Sequence, residues 1–247
     1  TLRFAALQRR LWSRLDGVIA TYDALFDKLS RVGYPAHLAY NGIDVARFAR
    51  DERRRQAIRR QIGIEPGATV LLMLGIVNRQ KGMWLGAESF LALAARFPDL
   101  ELLVVGDGPD LPRLRSRLAA GSVAHRVHLM GPVPLDDIPA FYAAADIFLY
   151  PTLRMEGLPF AVLYALAAGL PVIAADRGGI ASAVRDEETG LLVPAGDGQA
   201  LTRAVERLVD DPALARSLAK RCREWAWARF DMEPITARLL EELAAPR

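Results

Sequence analysis

From residue 70 onward the sequence repeats one pattern, in which a short apolar run is followed by a break at Gly or Pro and then by a helical stretch. The apolar runs cover residues 70–74, 102–105, 127–130, 147–150 and 172–175. Because these runs are mostly continuous rather than alternating, both faces of each strand must be covered, which is typical of parallel strands between two helix layers. The sequence therefore predicts a doubly wound parallel sheet, that is, a Rossmann-like α/β domain.

Helical stretches separate and follow the apolar runs. They are predicted near residues 84–97, 110–120, 135–145 and 158–168, and then near 198–209, 212–229 and 233–245. Before residue 48 we expect a helix to about residue 15, a strand over 18–20, a helix over 22–32 and a strand over 37–40. The turn-type sequence Asn41-Gly42-Ile43-Asp44 follows. This front part is predicted to be the tail of a second α/β domain and a linker.

The composition, 52% hydrophobic and 25% charged over 247 residues, favours a globular protein. The one cysteine, Cys222, excludes an intramolecular disulfide and a cysteine cluster for a metal, and fits a reducing cytoplasm. Because the chain begins with Thr1, we expect it to be a piece of a longer protein. Gly169 and Pro171 interrupt the uncharged residues 157–175, so a buried helix and strand are expected there rather than a membrane span.

Basic residues are concentrated at the front of the chain. Residues 1–60 carry thirteen Lys or Arg against six Asp or Glu. Apolar residues recur at helical spacing beside several arginines, which predicts a basic amphipathic helix on Phe4, Leu7, Leu11, Trp12 and Leu15. Two interpretations stay open: a surface helix packed on a neighbouring domain, or peripheral contact with anionic lipid headgroups. The run of Arg53, Arg54, Arg55, Arg59 and Arg60 is predicted to be a solvated helix face rather than a nucleic-acid site, because no aromatic residues interleave with it.

Ligands of a doubly wound sheet bind beyond the carboxyl ends of the strands, so the loops that follow the strands are the candidate sites. In the loop over residues 75–82, Lys81 is one of only three lysines in the chain. An ammonium group there suits a phosphate, although an ordinary solvated lysine fits equally well. The next loop, 105–109, resembles a dinucleotide fingerprint, but Leu111 stands where the third glycine is needed, which argues against NAD.

The loop over residues 150–159 carries Glu156 directly ahead of an uncharged helical stretch. Its carboxylate could cap backbone N–H groups of that helix. Alternatively, the start of the helix holds phosphates of a ligand while Glu156 accepts hydrogen bonds from neighbouring hydroxyl groups.

These residues belong to an ordered series of motifs, which resembles the family 4 retaining glycosyltransferases of GT-B fold. The motifs are Asn41-Gly42-Ile43-Asp44 with Phe48, Gly75 with Lys81-Gly82, Val104-Val105-Gly106-Asp107-Gly108-Pro109, Gly131, Ala145-Asp146, Tyr150-Pro151, Glu156-Gly157-Leu158-Pro159, Ala167-Ala168-Gly169-Leu170-Pro171-Val172-Ile173, Gly178-Gly179-Ile180 and Thr189-Gly190-Leu191-Leu192-Val193. The resemblance implies a donor-binding domain over 49–230, preceded by a linker over 41–48 and by the remnant of an acceptor domain over 1–40. Residues 231–247 would form a helix that crosses back to the first domain.

The resemblance also implies roles for individual residues. Lys81 would neutralise the diphosphate leaving group in place of a metal, and Glu156 would accept hydrogen bonds from the donor sugar. The other donor-binding positions are Gly75, Arg79 and Tyr164. Main-chain groups near Gly131 and Val133 would lie beside the nucleobase, and the N–H groups of Gly157 and Leu158 would approach donor oxygens. The co-substrate would be a nucleotide-diphosphate sugar, with no metal or cofactor, and the acceptor a sugar or a lipid-linked sugar. The implied location is the cytoplasm or the inner face of the membrane.

Two positions depart from the family pattern. Ile76 stands where the family has an arginine after the strand glycine, and Arg79 is the candidate replacement. Tyr164 stands where a second glutamate takes the ribose hydroxyls, and a phenol accepts fewer hydrogen bonds than a carboxylate. These departures leave open a catalytically inactive interaction or regulatory subunit and, as a third function, a sugar-nucleotide epimerase. Of the other polar residues, the three histidines are predicted to be structural and Asp107, Asp136, Asp137 and Asp146 to be turn and cap residues.

Overall fold

The computed structural model describes residues 15, 17–120 and 122–244. The predicted basic helix over the front residues lies outside this part of the chain, apart from Leu15. The strands are β1 (Val18–Ala20), β2 (Ala36–Leu38), β3 (Thr69–Leu74), β4 (Leu100–Val105), β5 (Val127–Gly131), β6 (Ile147–Tyr150), β7 (Val172–Ala175) and β8 (Gly190–Val193). The helices are α1 (Asp23–Arg31), α2 (Val45–Phe48), α3 (Glu52–Ile62), α4 (Met83–Leu93), α5 (Leu111–Ala119), α6 (Ile138–Ala144), α7 (Phe160–Ala167), α8 (Ile180–Ala183), α9 (Gly198–Asp210), α10 (Pro212–Phe230) and α11 (Met232–Ala244).

Strands β3 to β8 form one six-stranded sheet in the order β5-β4-β3-β6-β7-β8, and all neighbouring strands are parallel. This confirms the predicted doubly wound sheet. The central strands β3 and β6 lie side by side, and the chain leaves them in opposite directions, toward β4 and β7 respectively. Such a switch point opens a crevice beyond the carboxyl ends of the two strands.

Helices cover both faces of this sheet, which explains the continuous apolar runs. In β3, Val70 and Leu72 face one core, together with side chains of α2, α3, α6, α7 and α10. Leu71 and Met73 face the other core, together with side chains of α4, α5 and α9. All four of these strand residues are fully buried. A strand that is apolar at every position is thus the sequence signature of a sheet with no solvated face.

The sequence reading did not predict β8, which has only four residues and begins at Gly190 in a turn-type sequence. It joins the sheet at its edge by parallel pairing with β7. A Cβ atom on Gly190 would overlap the carbonyl oxygen of Val172, so the glycine permits the close pairing of the two strands. The predicted strand over 37–40 is also shifted, because β2 covers Ala36–Leu38 and Tyr40 instead donates its hydroxyl to Asp23 Oδ1 at 2.7 Å.

The uncharged stretch over residues 157–175 forms helix α7 and strand β7, as predicted. None of the described helices has both the length and the apolarity that crossing a bilayer requires.

The prediction of a solvated helix face holds for the exposed Arg53, Arg54 and Arg60 and is wrong for two arginines of α3, Arg55 and Arg59. Arg55 Nη1 donates to three carbonyl oxygens at the end of α6, and Arg55 Nη2 donates to Asp146 Oδ1 at 2.7 Å. Arg59 Nη2 donates to Asp146 Oδ2, also at 2.7 Å. Both arginines are buried. Asp146 is therefore the shared counterion of two guanidinium groups rather than a turn residue, and the carbonyl end of a helix adds favourable negative potential.

A small βαβ unit precedes the large sheet. Strands β1 and β2 pair in parallel, with α1 between them. The linker that follows is fixed to the large domain at two points: Asn41 Nδ2 donates to the carbonyl oxygen of Leu158 at 2.7 Å, and Ile43 N donates to the carbonyl oxygen of Phe230 at 2.8 Å.

We expect Asp146→Asn to lower the free energy of unfolding by about 3 kcal/mol, because two buried guanidinium groups lose their shared counterion. Urea denaturation followed by circular dichroism measures this change. Asp136→Asn is the matched control, since the Asp136 side chain is 93% exposed in its ion pair with Arg47, and its loss should stay below about 1 kcal/mol. Equal losses for the two variants would contradict the structural role of Asp146.

Candidate active site

The crevice beyond β3 and β6 is bordered by the loops that follow these two strands. In the first loop, Asn78 Oδ1 accepts a hydrogen bond from Lys81 N at 2.8 Å and so caps a single 3₁₀ turn, Arg79–Lys81. Gly82 then adopts a left-handed conformation, with φ of +70°, and α4 begins at the next residue. The turn fixes the backbone from which the Lys81 side chain extends.

The two loops are in close contact. A Cβ atom on Gly82 would overlap the carbonyl oxygen of Pro151, so only glycine permits the observed approach. Leu153 N also donates to the carbonyl oxygen of Gln80 at 2.8 Å. These contacts bring the loop that carries Lys81 against the loop that carries Glu156.

Lys81 and Glu156 form an ion pair at the centre of the crevice. Lys81 Nζ lies 2.8 Å from Glu156 Oε1 and 3.1 Å from Tyr150 Oη. The hydroxyl of the fully buried Thr152 donates to the same carboxylate oxygen at 3.2 Å. The side chains of Lys81 and Glu156 are 19% and 16% exposed, so both remain reachable by a ligand. The structure therefore brings together the two residues that the sequence singled out, from two separate crossover connections.

The environment keeps Lys81 positively charged. Burial alone lowers the pKa of Lys81, but its hydrogen bonds with Glu156 and Tyr150 more than offset this, and the pKa lies above its ordinary value. Burial raises the pKa of Tyr150 above its ordinary value, although the neighbouring ammonium group of Lys81 lowers it in part. At neutral pH the site therefore holds an ammonium group and a protonated phenol.

A cavity of about 290 Å³ lies directly over this cluster. The polar side chains in its wall are those of Lys81, Tyr150 and Glu156, and its apolar wall includes Ile76 and Phe160. Ile76 is 55% exposed, so an apolar side chain faces the entrance beside the ammonium group. Gly75, at the end of β3, completes this side of the wall.

Glu156 does not cap the helix that follows it. Its carboxylate contacts Lys81 and Thr152, and the start of α7 has no side-chain cap. The backbone of Glu156 is held from behind, because Gly179 N donates to its carbonyl oxygen at 2.9 Å. A Cβ atom on Gly178 would overlap that same oxygen. The structure thus contradicts the interpretation of Glu156 as a helix cap, and its role toward a ligand stays a prediction.

Arg79 lies on the wall of a different, neighbouring cavity of about 410 Å³. Trp84 and Arg113 line that cavity as well, and the Arg79 backbone is fixed by donation to Asp110 Oδ2 at 2.6 Å. The residues that line the Lys81 cavity are, among those described, Leu74, Gly75, Ile76, Lys81, Met83, Leu149, Tyr150, Glu156, Pro159, Phe160 and Ala161. In this arrangement the guanidinium group of Arg79 does not occupy the place of Ile76.

The remaining predicted residues surround the cluster. Gly131 ends β5 with φ of +70°, and its carbonyl oxygen accepts a hydrogen bond from Gly106 N at 2.8 Å. Val133 packs against the core two residues later. Tyr164 lies one helical turn beyond Phe160 and stacks on Phe48 with ring centroids 4.0 Å apart. Burial raises the pKa of Tyr164, so its hydroxyl is a neutral group at physiological pH.

The carbonyl oxygen of Leu158 accepts a hydrogen bond from Asn41 Nδ2 of the linker, while Gly157 lies beside Tyr22 of the first unit. Ser182 Oγ accepts a hydrogen bond from Asp23 N at 3.1 Å. The small first unit therefore reaches the loops that hold Glu156.

Sequence reasoning missed the polar neighbours of the ion pair, Tyr150 and Thr152. Both directly follow or end β6, at the edge of the sheet where ligands bind. That position was the available signal, but in this loop it led to Glu156 alone. Among the described residues, no group of three His, Cys, Asp or Glu side chains is arranged to hold a metal ion.

A sequence model of the family described as "Glycosyl transferases group 1" matches residues 68–211. The chain is similar to the GDP-mannose-dependent alpha-(1-6)-phosphatidylinositol monomannoside mannosyltransferase of Mycolicibacterium smegmatis, with 34% identity over 83% of this chain and 55% of that protein. It is also similar to the D-inositol 3-phosphate glycosyltransferase of Salinispora arenicola, with 36% identity over 81% of this chain and 47% of that protein. The chain thus spans about half the length of the curated relatives it matches.

Among solved structures, Anabaena HepE in complex with UDP superposes with a TM-score of 0.81 at 24% identity, over 92% of this chain and 63% of that one. At this identity the likeness concerns the fold, and it agrees with the doubly wound architecture described above.

We expect Gly82→Ala to separate the two loops, because its methyl group would overlap the carbonyl oxygen of Pro151. The free energy of unfolding, from urea denaturation, should fall by about 2 kcal/mol or more, since strain from overpacking adds to that of the left-handed backbone. Gly63→Ala is the matched control, because Gly63 has φ of +78° with open space around it, and should cost only about 1 kcal/mol. Equal losses would mean that the close approach to Pro151 adds no constraint.

Proposed function

Because the chain belongs to the family of glycosyl transferases group 1, we propose that it is the donor-binding half of a glycosyltransferase that moves a sugar from a nucleotide diphosphate to an acceptor. The observation that carries this proposal is the Lys81–Glu156 pair in a cavity beyond the switch point of the sheet, with Nζ and Oε1 2.8 Å apart. An ammonium group suits a diphosphate, and a carboxylate suits the hydroxyl groups of a sugar. A nucleotide-diphosphate sugar presents both groups within one molecule.

The names of relatives support the donor class. The Mycolicibacterium smegmatis relative depends on GDP-mannose, and HepE was crystallised with UDP. Both names point to a nucleoside diphosphate, while they differ in the base. We therefore propose the diphosphate as the common element of recognition in this chain, with the nucleobase beside Gly131 and Val133.

In the proposed reaction Lys81 stabilises the charge that develops on the leaving diphosphate. In the free protein Glu156 holds the ammonium group in place. When the donor enters, its hydroxyl groups donate to Glu156, and Lys81 donates to phosphate oxygens. A preorganised cation in a partly buried site stabilises the transition state more than it would in water. No metal ion is needed for this role.

We further propose that the anomeric configuration is retained through front-face displacement. The bond between the anomeric carbon and the diphosphate oxygen breaks, and a bond to the acceptor oxygen forms on the same face of the sugar. The acceptor's hydroxyl proton passes to an oxygen of the departing phosphate. Glu156 orients the sugar, and Lys81 holds the leaving group in position to receive that proton.

The acceptor would be held mainly by chain that precedes the large domain. Our proposed division is an acceptor-domain remnant over residues 1–40, a linker over 41–48, the donor domain over 49–230 and a crossing helix over 231–247. A two-stranded parallel sheet such as β1–β2 is too small to be stable alone, which supports its origin in a larger sheet. His37 Nδ1 lies 3.5 Å from Glu242 Oε2 of α11, which supports the crossing role of that helix.

A sugar or lipid-linked acceptor at the cytoplasmic face of a membrane fits this proposal. The basic helix predicted at the front of the chain would then contact anionic headgroups.

We expect the 247-residue chain to bind nucleoside diphosphates and their sugars saturably in isothermal titration calorimetry. Lys81→Ala should weaken both classes of ligand by about tenfold or more, because a charge-assisted contact to phosphate is lost. Glu156→Gln should weaken the sugar nucleotides selectively, because it replaces a charged carboxylate, which accepts hydrogen bonds from sugar hydroxyl groups through two oxygens, with an amide that accepts through one. Lys220→Ala is the control, since Lys220 is 74% exposed on α10. Binding that is unchanged in both site variants would end the assignment of these roles.

Two observations favour a second candidate function, a catalytically inactive interaction or regulatory subunit. Ile76 leaves the cavity wall with one cationic side chain, and the Tyr164 ring is stacked on Phe48. In that case the longer protein would turn over no donor, even by hydrolysis, and would co-purify with an active transferase. Release of nucleoside diphosphate from a panel of sugar nucleotides distinguishes the two functions. A sugar-nucleotide epimerase, the third candidate, would instead convert the donor without an acceptor, which NMR of the sugar detects.

A further inference from the structure

Tyr150 ends β6 with its hydroxyl group in the wall of the cavity. The residue is only 6% exposed, and its ring stacks on Phe148 with centroids 6.1 Å apart. Lys81 Nζ lies 5.5 Å from the centre of the same ring. The phenol is therefore held rigidly, and its oxygen has a fixed position beside the ammonium group.

In its hydrogen bond with Lys81, the phenol of Tyr150 acts only as an acceptor. An ammonium group has donors and no acceptor, so in the 3.1 Å contact the Tyr150 oxygen accepts and its own proton is directed elsewhere. Among the described residues, Lys81 is the one hydrogen-bond partner of the Tyr150 hydroxyl. Since the hydroxyl lies in the cavity wall, its proton is available to an acceptor atom of a ligand there.

The charge of the cavity calls for such a donor. Lys81 is the one cationic side chain among the described residues that line it, and this cation is shared with Glu156. A diphosphate carries at least two negative charges, so a single shared ammonium group leaves its oxygens undersupplied with donors. Ile76 adds none. Among the described residues that line the wall, Tyr150 is the remaining side-chain donor, and a hydroxyl that accepts from an ammonium group is polarised into a stronger donor.

We propose that Tyr150 is a further ligand-binding residue of this site, which donates its phenolic O–H to an oxygen of the terminal phosphate of the diphosphate, beside Lys81. This inference rests on the proposed function, since it assigns a further contact to the same leaving group. No proton is transferred in the contact. The hydrogen bond strengthens as the sugar departs and negative charge accumulates on the phosphate, so Tyr150 assists the bond cleavage.

The protonation state of Tyr150 agrees with this role. Burial raises the pKa of the phenol above its ordinary value, so the proton that is donated is present throughout the neutral range. The cavity wall beside the contact includes the apolar side chains of Ile76 and Phe160, and a hydrogen bond to a charged oxygen is stronger in apolar surroundings.

The first test is Tyr150→Phe, which keeps the ring on Phe148 and removes only the hydroxyl group. The probes are UDP, GDP, ADP, CDP and dTDP with their monophosphates, titrated into the 247-residue chain by calorimetry. For each diphosphate that binds, we expect about tenfold weaker binding, the typical effect of one hydrogen bond to a charged group. The monophosphates, which lack the terminal phosphate, should change less than about twofold by the same reasoning.

Tyr142→Phe is the matched control. It removes another buried phenol hydroxyl, which donates to the carbonyl oxygen of Ala161 at 2.9 Å. Thermal unfolding of both variants separates a loss of stability from a loss of binding. Diphosphate affinity equal to wild type in Tyr150→Phe, or an equal loss in both variants, would overturn the inference.

The double variant Lys81→Ala/Tyr150→Phe separates direct donation from mere positioning of Lys81. If Tyr150 donates to the ligand, the double variant should bind the diphosphate more weakly than Lys81→Ala alone, although by less than Tyr150→Phe does in the wild-type background, because the two residues are hydrogen-bonded and so not additive. Equal affinities of the double and single variants would mean that Tyr150 acts only through Lys81, and this would overturn the inference.

The two proposals fail in different ways. If the wild-type chain binds none of the five diphosphates, the proposed function fails and the inference fails with it. If the wild type binds and Lys81→Ala weakens binding, while Tyr150→Phe does not, the function stands and the role of Tyr150 is wrong.

Discussion

The contact between Gly82 and Pro151 is the constraint on which the site depends. Lys81 and Glu156 belong to loops that follow different strands, and each loop alone would leave its charged side chain in solvent. The absence of a side chain at Gly82 allows the two backbones to touch, and the ion pair forms where they meet. The switch point of the sheet supplies the crevice, but this contact decides which groups face one another across it.

The polar cluster combines three kinds of chemistry in a small volume. The ammonium group supplies charge, the carboxylate supplies acceptors, and the phenol and Thr152 hold these two groups in register. Their surroundings are largely apolar, because the cavity wall beyond the cluster includes Ile76 and Phe160. Interactions among charges are stronger in such an environment than in water. The paired state of the free protein also leaves neither charge uncompensated before a ligand arrives.

Much of this arrangement follows from local sequence pattern, and some of it does not. Continuous apolar runs predicted five of the six strands of the large sheet, and the rule that ligands bind at strand ends led to Lys81 and Glu156. Strand β8 was not predicted, because the sequence of a four-residue edge strand that starts at Gly190 resembles that of a turn. The burial of Arg55 and Arg59 depends on Asp146 and on the end of α6, which are distant in sequence, so a run of charges alone could not reveal it. Tyr150 was not predicted because its hydrogen-bond partner, Lys81, lies in the loop that follows a different strand.

Gly179 is closely packed against both the first unit and the large domain. A Cβ atom there would lie 2.6 Å from Cγ of Tyr22 in the first unit, and it would also overlap the carbonyl oxygen of Gly157. The same residue donates its backbone N–H to the carbonyl oxygen of Glu156. Any side chain at position 179 would therefore overlap atoms of both the first unit and the large domain. In a chimera that joins the large domain to a foreign first unit, the junction would have to reproduce the close fit around Gly179.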